Sequence, residues 1–148
     1  MTGAEYIQGQ LATFAWRDGF ADGLSGMEAV AFCIRNRQRA GWWNGDWAQI
    51  LSHHRDYSYK TDEYPDEIPD PRVWSFQLLL HEISAIFDGS RNDDVTIAKD
   101  SVVARKPGVA LYYARLDQIN SDRFLYNIAR KPEEHPVIAQ IGSLSFFS

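Results

Sequence analysis

The sequence predicts an α+β domain: mainly helical in its N-terminal part, with a small antiparallel β-sheet or hairpin near the C-terminus. Three observations point there. Apolar residues recur every three to four positions in several separate segments between Tyr6 and Phe87. Strand formers cluster later, at Val109-Ala110-Leu111-Tyr112-Tyr113. Near the end, Gly142-Ser143 separates two apolar stretches, VIAQI and LSFF. The 148 residues suit one domain, 1–148, and one core. No internal repeat or low-complexity tract divides them.

The first helix is expected over about residues 4 to 18. Tyr6, Ile7, Leu11, Phe14 and Ala15 share one face. Gly19 suits its C-terminus, because glycine enters the left-handed conformation without a Cβ clash. The second helix is expected to begin at Ser25, with Ser25 and Glu28 forming a capping box. Met27, Val30, Ala31 and Ile34 then make a core-facing stripe, and Gly41 ends the element. A short helix carrying Trp47, Ile50 and Leu51 follows Asn44.

Between residues 60 and 71 the prolines of DEYPDEIPDP specify a loop. Asp70 and Pro71 then suit the N-cap and first position of another helix. Val73, Phe76, Leu80, Ile83 and Phe87 form its apolar face, Leu79 and Ile86 widen it, and Gly89 stops it. Residues 121 to 131 are compatible with a short helix or a strand. Glycine first in a two-residue loop predicts a type II′ hairpin turn at Gly142-Ser143.

Composition excludes several classes. Hydrophobic residues make up 45% and aromatics 14%, enough apolar surface for a folded core. The net charge of -5 offers no basic stripe to neutralise phosphates, so nucleic acid is not expected as a partner. No apolar run approaches the roughly 20 residues of a membrane span. The start, MTGAEYIQGQ, does not read as a secretory signal, so synthesis in the cytoplasm is expected. One cysteine, Cys33, makes no disulfide framework and no multi-cysteine zinc site. It reads as buried and structural. Adjacent His53 and His54 have no third ligand at metal spacing, so no metal and no cofactor are expected.

The turn between the first two helices holds the candidate chemistry. Asp18 reads either as a surface helix terminus or as a proton donor. Asp22 reads as a turn former or a possible second acid. The helix dipole disfavours a carboxylate at Asp18, and Trp16 and Phe20 are near enough in sequence to exclude water, whereas Arg17 would favour the anion. Trp42, Trp43 and Trp47 are a concentration of indoles on which sugar rings can stack; core packing is the alternative. Tyr57, Tyr59, Tyr112 and Tyr113 face the same choice. Arg35 and Arg39 read as solvated, complementing a helix C-terminus. Asn36 and Arg37 read as structural support that braces the Asp18 turn.

The stretch LATFAWRDGFADGLSGMEAVAFCIRNR, Leu11 to Arg37, resembles the start of the SleB-type cell-wall hydrolase domain, including its phage-associated members. Leu11-Ala12, Gly26-Met27, Ala29-Val30-Ala31 and Ile34-Arg35-Asn36-Arg37 match without a gap. Gly41-Trp42-Trp43, Asp46-Trp47, Tyr57-Ser58, Ala110 to Tyr113, and Ile141-Gly142 with Phe146-Phe147 resemble later parts of that family. The resemblance spans most of the chain and is weakest between residues 60 and 105.

The resemblance implies a lysozyme-like fold that cleaves the glycan strand of peptidoglycan, acting at the cell wall once released or exported. The family's catalytic glutamate falls on Asp18 and a second acidic position on Asp22. Glycosidic cleavage needs a carboxylic acid that keeps its proton near neutral pH. A lytic transglycosylase manages with one acid/base, because the sugar's own 6-hydroxyl attacks the anomeric carbon. Aspartate is one methylene shorter than glutamate, and a misplacement of about 1 Å costs roughly a hundredfold in rate. Two alternatives therefore stand beside an enzyme. One is a catalytically degenerate lysozyme-like domain that binds glycan or a protein partner. The other is a structural component of a phage-like particle.

Overall fold

A computed structural model describes residues 2–54, 74–93, 95, 108–115 and 127–148. In it, helices come first and a three-stranded antiparallel sheet last, so the chain is α+β. The expected loop at 60–71, its Asp70-Pro71 helix start and Tyr57 lie outside the described residues.

Helix α1 covers Gly3–Gly19. A capping box does open a helix, but here rather than at Ser25. Thr2 Oγ1 accepts from Glu5 N at 3.1 Å, and Glu5 Oε2 accepts from Thr2 N at 3.0 Å. After a 3₁₀ turn at Phe20–Asp22, helix α2 runs from Gly23 to Arg39. Ser25 is already helical, so its hydroxyl cannot cap. Glu28 lies more than a turn inside the helix, buried and bound to Arg91.

Gly19 also differs from expectation. Its φ of -111° is not left-handed. Its lack of a side chain serves the crossing of α1 over α2 instead. A Cβ on Gly19 would stand 2.7 Å from the Gly26 carbonyl and from Met27 Cα, and one on Gly26 would stand 2.8 Å from Gly19 O. The two backbones touch, which only glycine on both sides permits.

Helix α2 is the centre of the core. The stripe Met27, Val30, Ala31 and Ile34 is buried as the spacing predicts, but so is every residue from Gly26 to Arg37. Helix α1, helix α4 (Trp74–Asp88) and strands β1 (Tyr112–Arg115) and β2 (Val137–Ile141) all pack around it. Along α4 the deepest residues are Leu79 and Ile86, followed by Ile83 and Phe76, while Leu80 and Phe87 flank them. The short helix α3 spans Trp47–His54, and Asp46 Oδ1 accepts from Gln49 N at 3.2 Å at its start. Ile50 and Leu51 reach the core.

The sheet has the order β1-β3-β2, with β3 at Leu144–Phe147. Strands β2 and β3 form the expected hairpin, Ile141 opposite Leu144, with Gly142 at φ 58° in the turn. A bulge between Val137 and Ala139 shifts the register. Strand β1 begins at Tyr112, later than the apolar run, although Leu111 N already donates to Phe147 O at 2.9 Å. In the segment 121–131, residues 127–129 are helical, and residues 121–126 lie outside the described residues.

Candidate functional site

Asp18 occupies the last turn of α1 and is only 4% exposed, so it is not a surface helix terminus. The Tyr113 phenol, from β1, donates a hydrogen bond to Asp18 Oδ2. Pairing of β1 with β3 puts Tyr113 opposite Phe146, its ring 6.3 Å from that neighbour. Strand alternation turns Tyr113 inward and Tyr112 to the other face. Burial, reinforced by the negative charge of Asp18, raises the Tyr113 phenol well above its ordinary range; nearby Arg37 opposes the shift. The phenol therefore keeps its proton at neutral pH. Ninety-five residues separate the pair, and no local pattern in the sequence foretells it.

Asn36 and Arg37, at the end of α2, bind the chain that leads into β1. Asn36 Nδ2 donates to Ala110 O at 3.1 Å, and Arg37 Nε donates to Leu111 O at 2.6 Å. Both residues are buried. Their described bonds thus brace the strand that carries Tyr113, one step removed from the Asp18 turn. The Arg37 guanidinium lies 5.2 Å from the Trp42 ring centre and 5.8 Å from that of Tyr113. It joins the buried acid–phenol pair to a row of half-buried rings.

That row runs from Trp43 to Trp42 at 5.9 Å, on to Tyr112 at 5.5 Å, and on to His135 at 5.1 Å. Sequence reasoning missed His135. Its Nδ1 lies 2.8 Å from the Ser148 oxygen, an acceptor, so Nδ1 carries the hydrogen. The three candidate tryptophans do not share one role. One face of Trp43 is covered by His53, stacked at 4.1 Å and 2° from parallel. Trp47 stacks on Phe87 at 5.0 Å, against the core. Trp42 is the indole that meets both Arg37 and Tyr112. Trp43 and Asn44 have φ of 45° and 58°, left-handed for residues with a Cβ. Strain of that kind costs about 1–3 kcal/mol per residue and tends to mark functional turns.

Asp22 is fastened elsewhere. Its Oδ1 accepts from Ser143 N at 2.8 Å, its Oδ2 from Ser143 Oγ at 2.8 Å, and Arg115 Nη2 lies 3.6 Å from Oδ2. Asp22 thus ties the turn of the β2–β3 hairpin and the end of β1 to the α1–α2 corner, which is structural work for a candidate second acid. Arg35 is a correction: expected in solvent, it is 2% exposed, with Nη1 donating to Ile86 O at 3.1 Å and burial lowering its pKa. Buried Glu28 accepts from Arg91 Nη2 at 2.7 Å, which pins the segment after α4 onto α2. Cys33 is fully buried, and burial pushes its thiol up to about 12. Among the described residues, no group of three or more His, Cys, Asp or Glu could hold a metal ion, and no helix is long and apolar enough to cross a membrane.

Compared with protein-family models, with curated proteins and with solved structures, the chain matches none.

Proposed function

We propose that this chain is a lysozyme-like domain that cleaves the glycan strand of peptidoglycan, with Asp18 as its single acid/base. The carrying observation is the state of Asp18. The carboxyl that the family resemblance marks is withdrawn from water and gripped by a side chain from the sheet. In the first step Asp18 gives a proton to the leaving glycosidic oxygen. Either water or the sugar's own 6-hydroxyl then attacks the anomeric carbon, and Asp18 takes up the proton of the attacking group. Trp42 and Tyr112, with Arg37 behind them, supply ring faces and edges for the sugars. Peptidoglycan lies outside the bacterial membrane, so this reading places the protein's action at the wall after release or export.

The test is release of muropeptides from purified cell walls by the wild type and by Asp18→Asn. Release by the wild type and loss in the variant support the proposal. Equal release from both removes Asp18 from the chemistry.

A second reading is favoured by a specific observation. Asp18 is 4% exposed and its Oδ2 already accepts from Tyr113, which suits a structural acceptor as well as an acid. On that reading the domain binds glycan on the Trp42–Tyr112 row without turnover. Muropeptide binding that Trp42→Ala weakens, with no product released, identifies it. Absence of both binding and release leaves a protein partner, as in a structural component of a phage-like particle.

A further inference from the structure

We infer that His135 is a specificity-determining residue at the end of the aromatic row: its Nε2 accepts a hydrogen bond from a hydroxyl or acetamide N–H of a sugar held on Trp42 and Tyr112. This rests on glycan occupying that row, which both readings above share, and not on which group does the chemistry. The other nitrogen of the same ring decides the state of Nε2. His135 Nδ1 lies 2.8 Å from the Ser148 oxygen. That oxygen can only accept, so Nδ1 carries the hydrogen, and in the neutral ring Nε2 is left as a lone pair. Among the described residues nothing hydrogen-bonds to Nε2, and the atom is not sealed from solvent.

The ring is held by its surroundings. His135 N donates to Lys131 O at 2.7 Å, closing the turn that precedes β2. Ser148 N donates to Pro136 O at 3.0 Å, which ties Ser148 to the residue after the imidazole. The imidazole stands 81° from the plane of the Tyr112 ring, with centroids 5.1 Å apart. Both side chains are half-buried, as is Trp42. Aromatic faces take the C–H face of a pyranose through stacking. Orientation and discrimination then come from a few fixed polar atoms beside those faces. The hydroxyls of a stacked pyranose project from its rim, where an acceptor on a perpendicular neighbour meets them. Nε2 supplies such an acceptor next to Tyr112, on a ring whose tautomer Ser148 has already fixed.

The experiment uses the full chain, with soluble muropeptides as the probe and tryptophan fluorescence to follow their binding. His135→Asn keeps a side-chain N–H near the position of Nδ1 and removes the Nε2 acceptor. His135→Gln does the reverse, placing an amide oxygen near the position of Nε2. Loss of one hydrogen bond predicts a Kd raised roughly fivefold in His135→Asn, with a smaller change in His135→Gln. A purely structural role reverses that order, because only asparagine retains a donor for Ser148. Nitrogen NMR of the wild-type imidazole supplies a readout that needs no substitution. Nδ1 is expected to be protonated and Nε2 bare, and the Nε2 signal is expected to move as muropeptide is added. A wild type that binds muropeptide with the Nε2 signal unmoved, or with equal affinity in His135→Asn, overturns this inference and leaves the glycan row standing. A neutral ring with its proton on Nε2 overturns it in the same way. A wild type that binds no muropeptide overturns the glycan row and this inference with it.

Discussion

Gly9→Ala and Gly19→Ala make the same chemical change in one helix, and the structure predicts opposite signs. Alanine favours a helix over glycine by roughly 0.5–1 kcal/mol. At Gly9 a Cβ meets nothing within 4 Å. The full gain applies there, so Gly9→Ala stabilises by about that amount. At Gly19 the new Cβ stands 2.7 Å from Gly26 C, Gly26 O and Met27 Cα. Ordinary contact begins near 3.4 Å, so the helices must part by about 0.7 Å, and all three obstructing atoms are backbone. Overpacking of that kind costs roughly 1–3 kcal/mol. The conformation of Gly19, φ -111° and ψ -7°, is open to alanine, so strain does not confuse the comparison. The net expectation is a loss of about 1–2 kcal/mol, or roughly 3–6 °C in Tm for a chain of this size. Thermal and urea unfolding followed by far-ultraviolet circular dichroism measure it. A Gly19→Ala protein as stable as the wild type would refute the close crossing of α1 and α2.

Three other outcomes follow from the described contacts. Asp22→Ala releases the hairpin turn and Arg115, and is expected to cost about 2–4 kcal/mol in urea unfolding, because charge-assisted bonds at a nearly buried carboxylate are lost; a change under 0.5 kcal/mol would show the tie to be idle. Arg91→Ala leaves the Glu28 carboxylate buried without its cation, an expected loss of about 1–3 kcal/mol with an unchanged denaturant m-value. Cys33, raised from 9.0 to about 12, makes stability alkali-sensitive. Below pH 9 folded and unfolded chains both keep the thiol proton and its contribution is complete. Between pH 9 and 12 only the unfolded chain releases it, so stability falls with rising pH, by up to about 4 kcal/mol. Tyr113 acts in the same sense above its ordinary range. Cys33→Ala should flatten the decline, and an equally steep slope in that variant would contradict the assignment.

The legible parts of the fold were those written in local periodicity. The stripes of α2 and α4, the Gly142-Ser143 hairpin and the end of α2 before Gly41 all follow from neighbours within a few residues. The capping box illustrates the limit. Thr2–Glu5 and Ser25–Glu28 carry the same spacing, and only tertiary structure decides between them, because Glu28 answers Arg91 from another helix's end. Arg35 and Gly19 fail for a similar reason. The local pattern of each refers to its own helix, whereas its surroundings are α4 and α2. At the candidate site, Asp18 and the aromatic residues could be named one by one. The bond that joins Asp18 to Tyr113, and the place of His135 beside Tyr112, come from strand pairing over long separations.

The bend from Gly41 to Gly45 has a last consequence. Trp43 and Asn44 hold backbone angles that a free peptide would abandon. One contact that covers them is the imidazole lying flat on the Trp43 indole, contributed by the helix that follows. The segment behaves like a sprung clip, closed by two aromatic plates together with its own main chain, in which Asn44 N donates to Gly41 O at 3.0 Å and Asp46 N to Trp43 O at 3.1 Å. A sugar that slid between those plates would have to open the clip, and its affinity would be reduced by whatever tension the plates were holding back.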